Sequence, residues 1–148
     1  MITRRRLSVI LLILVAIGVA AILTLRRPAA GPTVTGTTIS VAGGSYTNIT
    51  PADLATMLQA KNFPLINVHI PYEGEIASTD TLIAYNEIDQ HLDRLPADKT
   101  ASIVLYCRSG RMSTIAAEQL VKLGYTHIFN LDGGMIAWEK AGYTVSKH

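Results

Sequence analysis

Cysteine is almost absent. Cys107 is the only one in 148 residues. That excludes an intramolecular disulfide and a cysteine-rich zinc site, which needs several thiolates or histidines at close spacing. The four histidines, His69, His91, His127 and His148, stand far apart and show no ligand spacing. No cofactor and no metal are expected, and no internal repeat is visible. A broad basic surface is also lacking. Of 13 Lys and Arg, five (Arg4, Arg5, Arg6, Arg26, Arg27) flank one apolar run, leaving eight against 11 Asp and Glu. The remainder is slightly acidic, which argues against nucleic acid as a partner.

That apolar run, Leu7 to Leu25, has no charge and no proline over 19 residues. As a helix it would be about 28 Å long at about 1.5 Å per residue, enough to cross a hydrocarbon core. A buried core helix is rarely apolar all round over such a length. Signal-peptide cores are shorter, about 7–15 residues, and Arg26-Arg27 reads as a flank. Residues 1–27 are therefore expected to be an uncleaved, single-pass membrane anchor, the alternative being a signal segment cut near Gly18-Val19-Ala20. Arg4 to Arg6 and the N-terminal amine outweigh Arg26 and Arg27, so the charge rule places the following domain outside the cytoplasm. Residues 28–45, rich in Gly, Pro, Thr and Ala, read as a flexible tether. The folded domain is then expected over residues 46–148.

Within it, short strands and helices alternate. Tyr46 to Ile49 reads as a strand. Thr50-Pro51-Ala52-Asp53 is a helix start, with a capping threonine, proline at the first helical position and an acid three residues after the cap. Leu54, Met57 and Leu58 supply its apolar face, and it should end near Lys61-Asn62. Pro64 to Val68 is a buried strand, His69 to Asp80 a polar loop, and Thr81 to Tyr85 another strand. Ile88, Leu92 and Leu95 predict a helix over 86–95 that Pro96 stops. Ser102 to Tyr106 is β-branched and apolar, and reads as the central strand. A helix from Ser113 to Leu123 follows, then a strand from His127 to Leu131, a turn at Asp132-Gly133-Gly134 and a short helix from Met135 to Lys140. This order predicts an α/β fold, a parallel central sheet with helices on both faces. Ligands in such sheets bind beyond the carboxyl ends of the strands, where Cys107 lies.

The stretch Cys107-Arg108-Ser109-Gly110-Arg111-Met112-Ser113 joins the central strand to a helix. The thiolate is the nucleophilic form of cysteine, and neighbouring cations and a helix N-terminus favour it. Arg108 and Arg111 are permanent charges. The helix start offers unpaired backbone N–H groups and the positive end of its dipole. Gly110 allows the loop to curl around an anion. A small oxyanion bound here would present an atom to the thiol. The competing reading is a buried, inert cysteine, for which the two arginines have no use.

This loop resembles the active-site loop of the rhodanese family of sulfurtransferases. The resemblance runs from about Tyr46 to Val145. Ile49-Thr50-Pro51-Ala52-Asp53-Leu54 is similar to the family's first strand and helix, and Leu131-Asp132-Gly133-Gly134-Met135-Ile136-Ala137-Trp138, with Ala141-Gly142-Tyr143, to its closing segment. It implies sulfane-sulfur transfer from a small sulfur-containing anion, such as thiosulfate, through a persulfide on Cys107 to an external thiol or cyanide. It also implies that the Arg108 to Ser113 backbone (Arg108, Ser109, Gly110, Arg111, Met112 and Ser113) cradles the persulfide, and that Arg108 and Arg111 hold the donor. With no second cysteine, the acceptor must be another molecule. The sequence departs from the family pattern at Met112, where an arginine is common, at Asn67-Val68-His69 in place of Asp-Val-Arg, and at Gly74-Glu75-Ile76 in place of Gly-His-Ile.

His69, Glu73 and Glu75 read either as a solvated loop or as the rim of the pocket. Trp138 and Tyr143 read as core and rim packing, and His91 and His127 as structural. A phosphatase or arsenate reductase is the nearest rival enzyme, but a cysteine phosphatase loop needs arginine where this chain has Ser113. A rival of another class is a non-catalytic, membrane-tethered module that carries a persulfide or senses sulfur species.

Overall fold

The computed structural model describes residues 34–147. The expected anchor, Leu7 to Leu25, and the first part of the expected tether lie outside the described residues. Among the described residues no helix is long and apolar enough to cross a membrane.

The sheet has six strands. In chain order these are β1 (Thr37–Val41), β2 (Gly44–Ile49), β3 (Leu65–Asn67), β5 (Thr81–Leu82), β6 (Ile103–Tyr106) and β7 (Ile128–Leu131), and their order across the sheet is β1-β2-β7-β6-β3-β5. All neighbouring pairs are parallel except β1 with β2. A separate two-stranded ribbon pairs β4 (Glu75–Ile76) antiparallel with β8 (Val145–Ser146). The described residues also form three α-helices: α1 (Pro51–Leu58), α2 (Arg111–Lys122) and α3 (Gly134–Lys140).

Alternation along β6 builds a core on each face. Ile103, Leu105 and Cys107 pack with Ala116, Ala117, Leu120 and Val121 of α2. Val104 and Tyr106 pack with Leu54 and Met57 of α1 and Met135 and Trp138 of α3. A strand buried on both faces must be apolar at every position, and all four residues of β6 are buried. The period of two that sends Ile103 and Leu105 toward α2 sends Cys107 there too.

Three expectations need correction. The tether expected over residues 28–45 contains β1, which pairs in full register with β2 from Thr37↔Asn48 to Val41↔Gly44. The folded unit therefore starts before Tyr46. Its low hydrophobic content was misleading because an edge hairpin buries only a little on one side, through Ile39 and Val41. The helix expected over 86–95 is instead two short 3-10 turns, Ile88–Gln90 and Leu92–Arg94. Leu92 is exposed, so the i, i+4 face is not used, and neither turn has a side-chain cap. The loop expected over 69–80 contains β4, whose partner lies at the far end of the chain.

Candidate active site

Cys107 follows the last residue of β6 and is 1% exposed. Gly110, at φ +90°, reverses the chain and caps α2 with no side chain of its own. Its N–H donates to Cys107 Sγ at 3.1 Å. The hydroxyl of Ser113, fully buried, donates to Gly110 O at 3.0 Å and lies 3.5 Å from Sγ. One proton serves both acceptors, and the carbonyl contact is the shorter. With no side-chain cap, the first N–H groups of α2 are left to an incoming anion. Sγ thus rests against the Gly110 N–H at the uncapped start of α2.

The loop is fixed from beneath by α3. Met135 N–H donates to Cys107 O at 2.9 Å and Ile136 N–H to Arg108 O at 3.0 Å. These two donors would otherwise be orphans at a helix start. The approach is close enough to demand glycine: a Cβ on Gly134 would stand 2.2 Å from Cys107 O. Sequence reasoning placed Gly133-Gly134 in a turn and missed this support. The glycine pair was the available signal.

The arginines are not equivalent. Arg108 is exposed, and its Nε meets Glu73 Oε2 at 3.1 Å. Arg111, the first residue of α2, is exposed and has no ion pair among the described residues. Ser109 is exposed and Met112 half-buried. Asn67 and His69, the departures noted above, are buried. Asn67 Oδ1 accepts from His69 N–H at 3.0 Å and Asn67 Nδ2 donates to Gly74 O at 3.0 Å, so one side chain ties both ends of the intervening loop. His69 Nε2 lies 3.5 Å from Glu73 Oε2, within ion-pair range, but neither ring nitrogen forms a hydrogen bond. Of the three loop residues weighed as solvated or rim-forming, Glu73 is brought to Arg108, His69 is inside and Glu75 lies in β4.

The remaining residues singled out in the sequence make local contacts. Trp138 stacks on Tyr143 at 4.2 Å and donates to Thr144 O. His127 Nδ1 contacts Thr126 Oγ1 at 3.1 Å and His91 lies 3.9 Å from Glu87. Tyr106 reaches the opposite face, where its hydroxyl accepts from Ile76 N–H at 3.1 Å and meets Thr79 Oγ1 at 2.7 Å. Burial pushes its pKa up to about 12, with small further increases from Glu75 and Tyr72, against the opposing pull of the Thr79 and Ile76 hydrogen bonds. Among the described residues no group of three or more His, Cys, Asp or Glu side chains is placed to hold a metal. Beside the loop lies an open groove of about 370 Å³ whose lining includes Glu73, Arg108, and Ile136 and Glu139 of α3.

Comparison with known proteins agrees with this geometry. The family model described as "Rhodanese-like domain" matches residues 50–141. A probable adenylyltransferase/sulfurtransferase of Mycobacterium tuberculosis is 37% identical over 97 residues, covering 62% of this chain and 24% of that protein. The chain thus spans about a quarter of that relative's length. A thiosulfate sulfurtransferase of Escherichia coli is 33% identical over 70 residues, covering 46% of this chain and 67% of that protein. Among solved structures, a rhodanese-related protein of Thermoplasma volcanium superposes with a TM-score of 0.57 at 29% identity, over 67% of this chain and 96% of that one.

Proposed function

We propose that this chain, which belongs to the rhodanese-like domain family, is a sulfurtransferase that moves sulfane sulfur through a persulfide on Cys107. The observation that carries the reading is the single buried thiol held against the Gly110 N–H at the uncapped start of α2. The Cys107 thiolate attacks the outer sulfur of a donor such as thiosulfate. A new S–S bond forms, the donor's own S–S bond breaks, and sulfite leaves with that electron pair. Cyanide or an external thiolate then attacks the outer sulfur of the persulfide and regenerates the Cys107 thiolate. The cradle stabilises sulfur-borne charge in both steps. Arg111, free of any ion pair among the described residues, draws the anionic donor in, and Arg108 joins it once released from Glu73.

The purified full chain, given thiosulfate and cyanide, is expected to form thiocyanate, with activity lost in Cys107→Ser. Equal rates in the two proteins would sink the reading. The engagement of Arg108 by Glu73 gives some support to a second reading, a tethered persulfide carrier. In that case mass spectrometry would find persulfidated Cys107 without turnover.

We also propose that Leu7 to Leu25 anchors the domain, on the extracytoplasmic side. The support is the uncharged run and its flanking arginines. Added protease should digest the domain on cells whose outer barrier is permeabilised while cytoplasmic markers survive. Protection of the domain there would reverse the orientation, and recovery of the protein in the soluble fraction would reject the anchor.

A further inference from the structure

Two loops carry opposite charges to the rim of the Cys107 site, and both are pinned. The loop bearing Glu73 is closed at each end on Asn67, which is fully buried. The loop bearing Arg108 is held by the Ile136 N–H on Arg108 O. Glu73 Oε2 therefore reaches Arg108 Nε at 3.1 Å from a fixed backbone, with His69 Nε2 at 3.5 Å from the same oxygen and not hydrogen-bonded to it. Arg111 has no such partner among the described residues.

We propose that Glu73 is a specificity-determining residue: it withholds Arg108 from anionic donors, so that the site favours neutral or monoanionic sulfane-sulfur compounds over dianions. This builds on the sulfur-transfer reading of Cys107. A donor that recruits Arg108 must displace the Glu73 carboxylate and sit beside its charge. That repulsion scales with the donor's charge and is about twice as large for a dianion as for a monoanion. Both partners are partly exposed, with side-chain exposures of 57% and 40%, so the pair itself is weak and displaceable. Glu73 thus grades donors by charge and does not close the site.

The test separates binding from turnover. Binding of thiosulfate, a dianion, and thiocyanate, a monoanion, is measured calorimetrically at low ionic strength on the full chain carrying Cys107→Ser. The same measurements follow with Glu73→Gln added. The carboxamide is expected to tighten thiosulfate about five- to tenfold and thiocyanate about two- to threefold. The gain should shrink at high salt and be largely lost when Arg108→Gln is also present. Thiosulfate binding that is undetectable or unchanged by Glu73→Gln overturns the proposal, as does a gain that persists undiminished without Arg108. Thiocyanate formation by the unmodified chain is a separate readout: its absence sinks the sulfur-transfer reading and leaves the binding comparison to decide the role of Glu73.

Discussion

Gly134 sits at φ +56°, and a Cβ there would meet Cys107 O at 2.2 Å and Arg108 O at 2.8 Å. Both neighbours are backbone, so neither can swing aside. Gly134→Ala is expected to lift α3 from the loop, weakening two hydrogen bonds worth about 1 kcal/mol each and adding about 1 kcal/mol of left-handed strain. Melting should fall by roughly 10 °C and sulfur transfer by at least about tenfold. Gly124→Ala is the control. Its strained φ of +89° lies at the other end of α2, against the Lys99 side chain, so it should cost stability and leave activity per folded molecule intact. Tyr106 gives a pH prediction. Its folded pKa of about 12 lies above the usual 10.0, mainly through burial. The neutral phenol therefore contributes stability in full below about pH 10, and that contribution is lost as pH rises through about 12. In urea unfolding, Tyr106→Phe should be less stable than the parent at pH 8, having lost the Thr79 and Ile76 contacts, and the gap should narrow by pH 11. Cys107 and Gly110 were legible from the sequence because a nucleophile and its turn lie within a few residues. The roles of Asn67 and Glu73 were not, because each depends on a partner brought in by folding.

At the level of elements, α1 forms for reasons written in its first four residues. Thr50 Oγ1 accepts from Asp53 N–H at 3.2 Å, and Thr50 N–H donates to Asp53 Oδ2 at 3.0 Å, with Pro51 at the first helical position. The hydrogen bonds from the Thr50 side chain and backbone hold the Asp53 carboxyl below its usual 3.8. A lowered carboxyl contributes stability above its unfolded pKa, lost as pH falls through the folded one. Thr50→Ala should cost about 1 kcal/mol at pH 7, and the difference from the parent should shrink below about pH 4, as read by denaturant midpoints at both pH values. The start of α2 runs on the opposite principle. It has no capping side chain, and that vacancy is where an anion can bind. The segment over 86–95 shows the limit of periodicity. Its spacing suits a helix, but only Ile88 and Leu95 find a core to enter.

Across the whole molecule, the sheet order places β6 in the interior of the sheet, between β7 and β3. The Cys107 loop at its carboxyl end is therefore flanked by the loops after both neighbours, one carrying Glu73 and the other leading into α3. The antiparallel β1 closes the opposite edge on β2. A truncated chain starting at Tyr46 removes this partner and exposes Ile39- and Val41-covered core, at a cost on the order of 2 kcal/mol. A chain starting at Val34 should melt several degrees higher than one starting at Tyr46 and aggregate less, since the bare edge of β2 would otherwise be open to pairing. Equal melting temperatures would mean that β1 adds nothing to the folded unit.

The amino-acid sequence by itself determined what depends on near neighbours: the capping box of α1, the two-sided apolar strand β6 that ends at Cys107, and the glycine turn that opens α2. It also carried the resemblance of the Cys107 loop to the active-site loop of the rhodanese family. Only the tertiary structure decided that α3 donates two N–H groups to that loop, that β4 and β8 pair, and that Arg108 is engaged by Glu73 while Arg111 is not. The division has a physical cause. Caps, turns and alternation are fixed by interactions within a few residues, whereas the charge and rigidity at the rim of the site arise between segments that meet only when the sheet has formed.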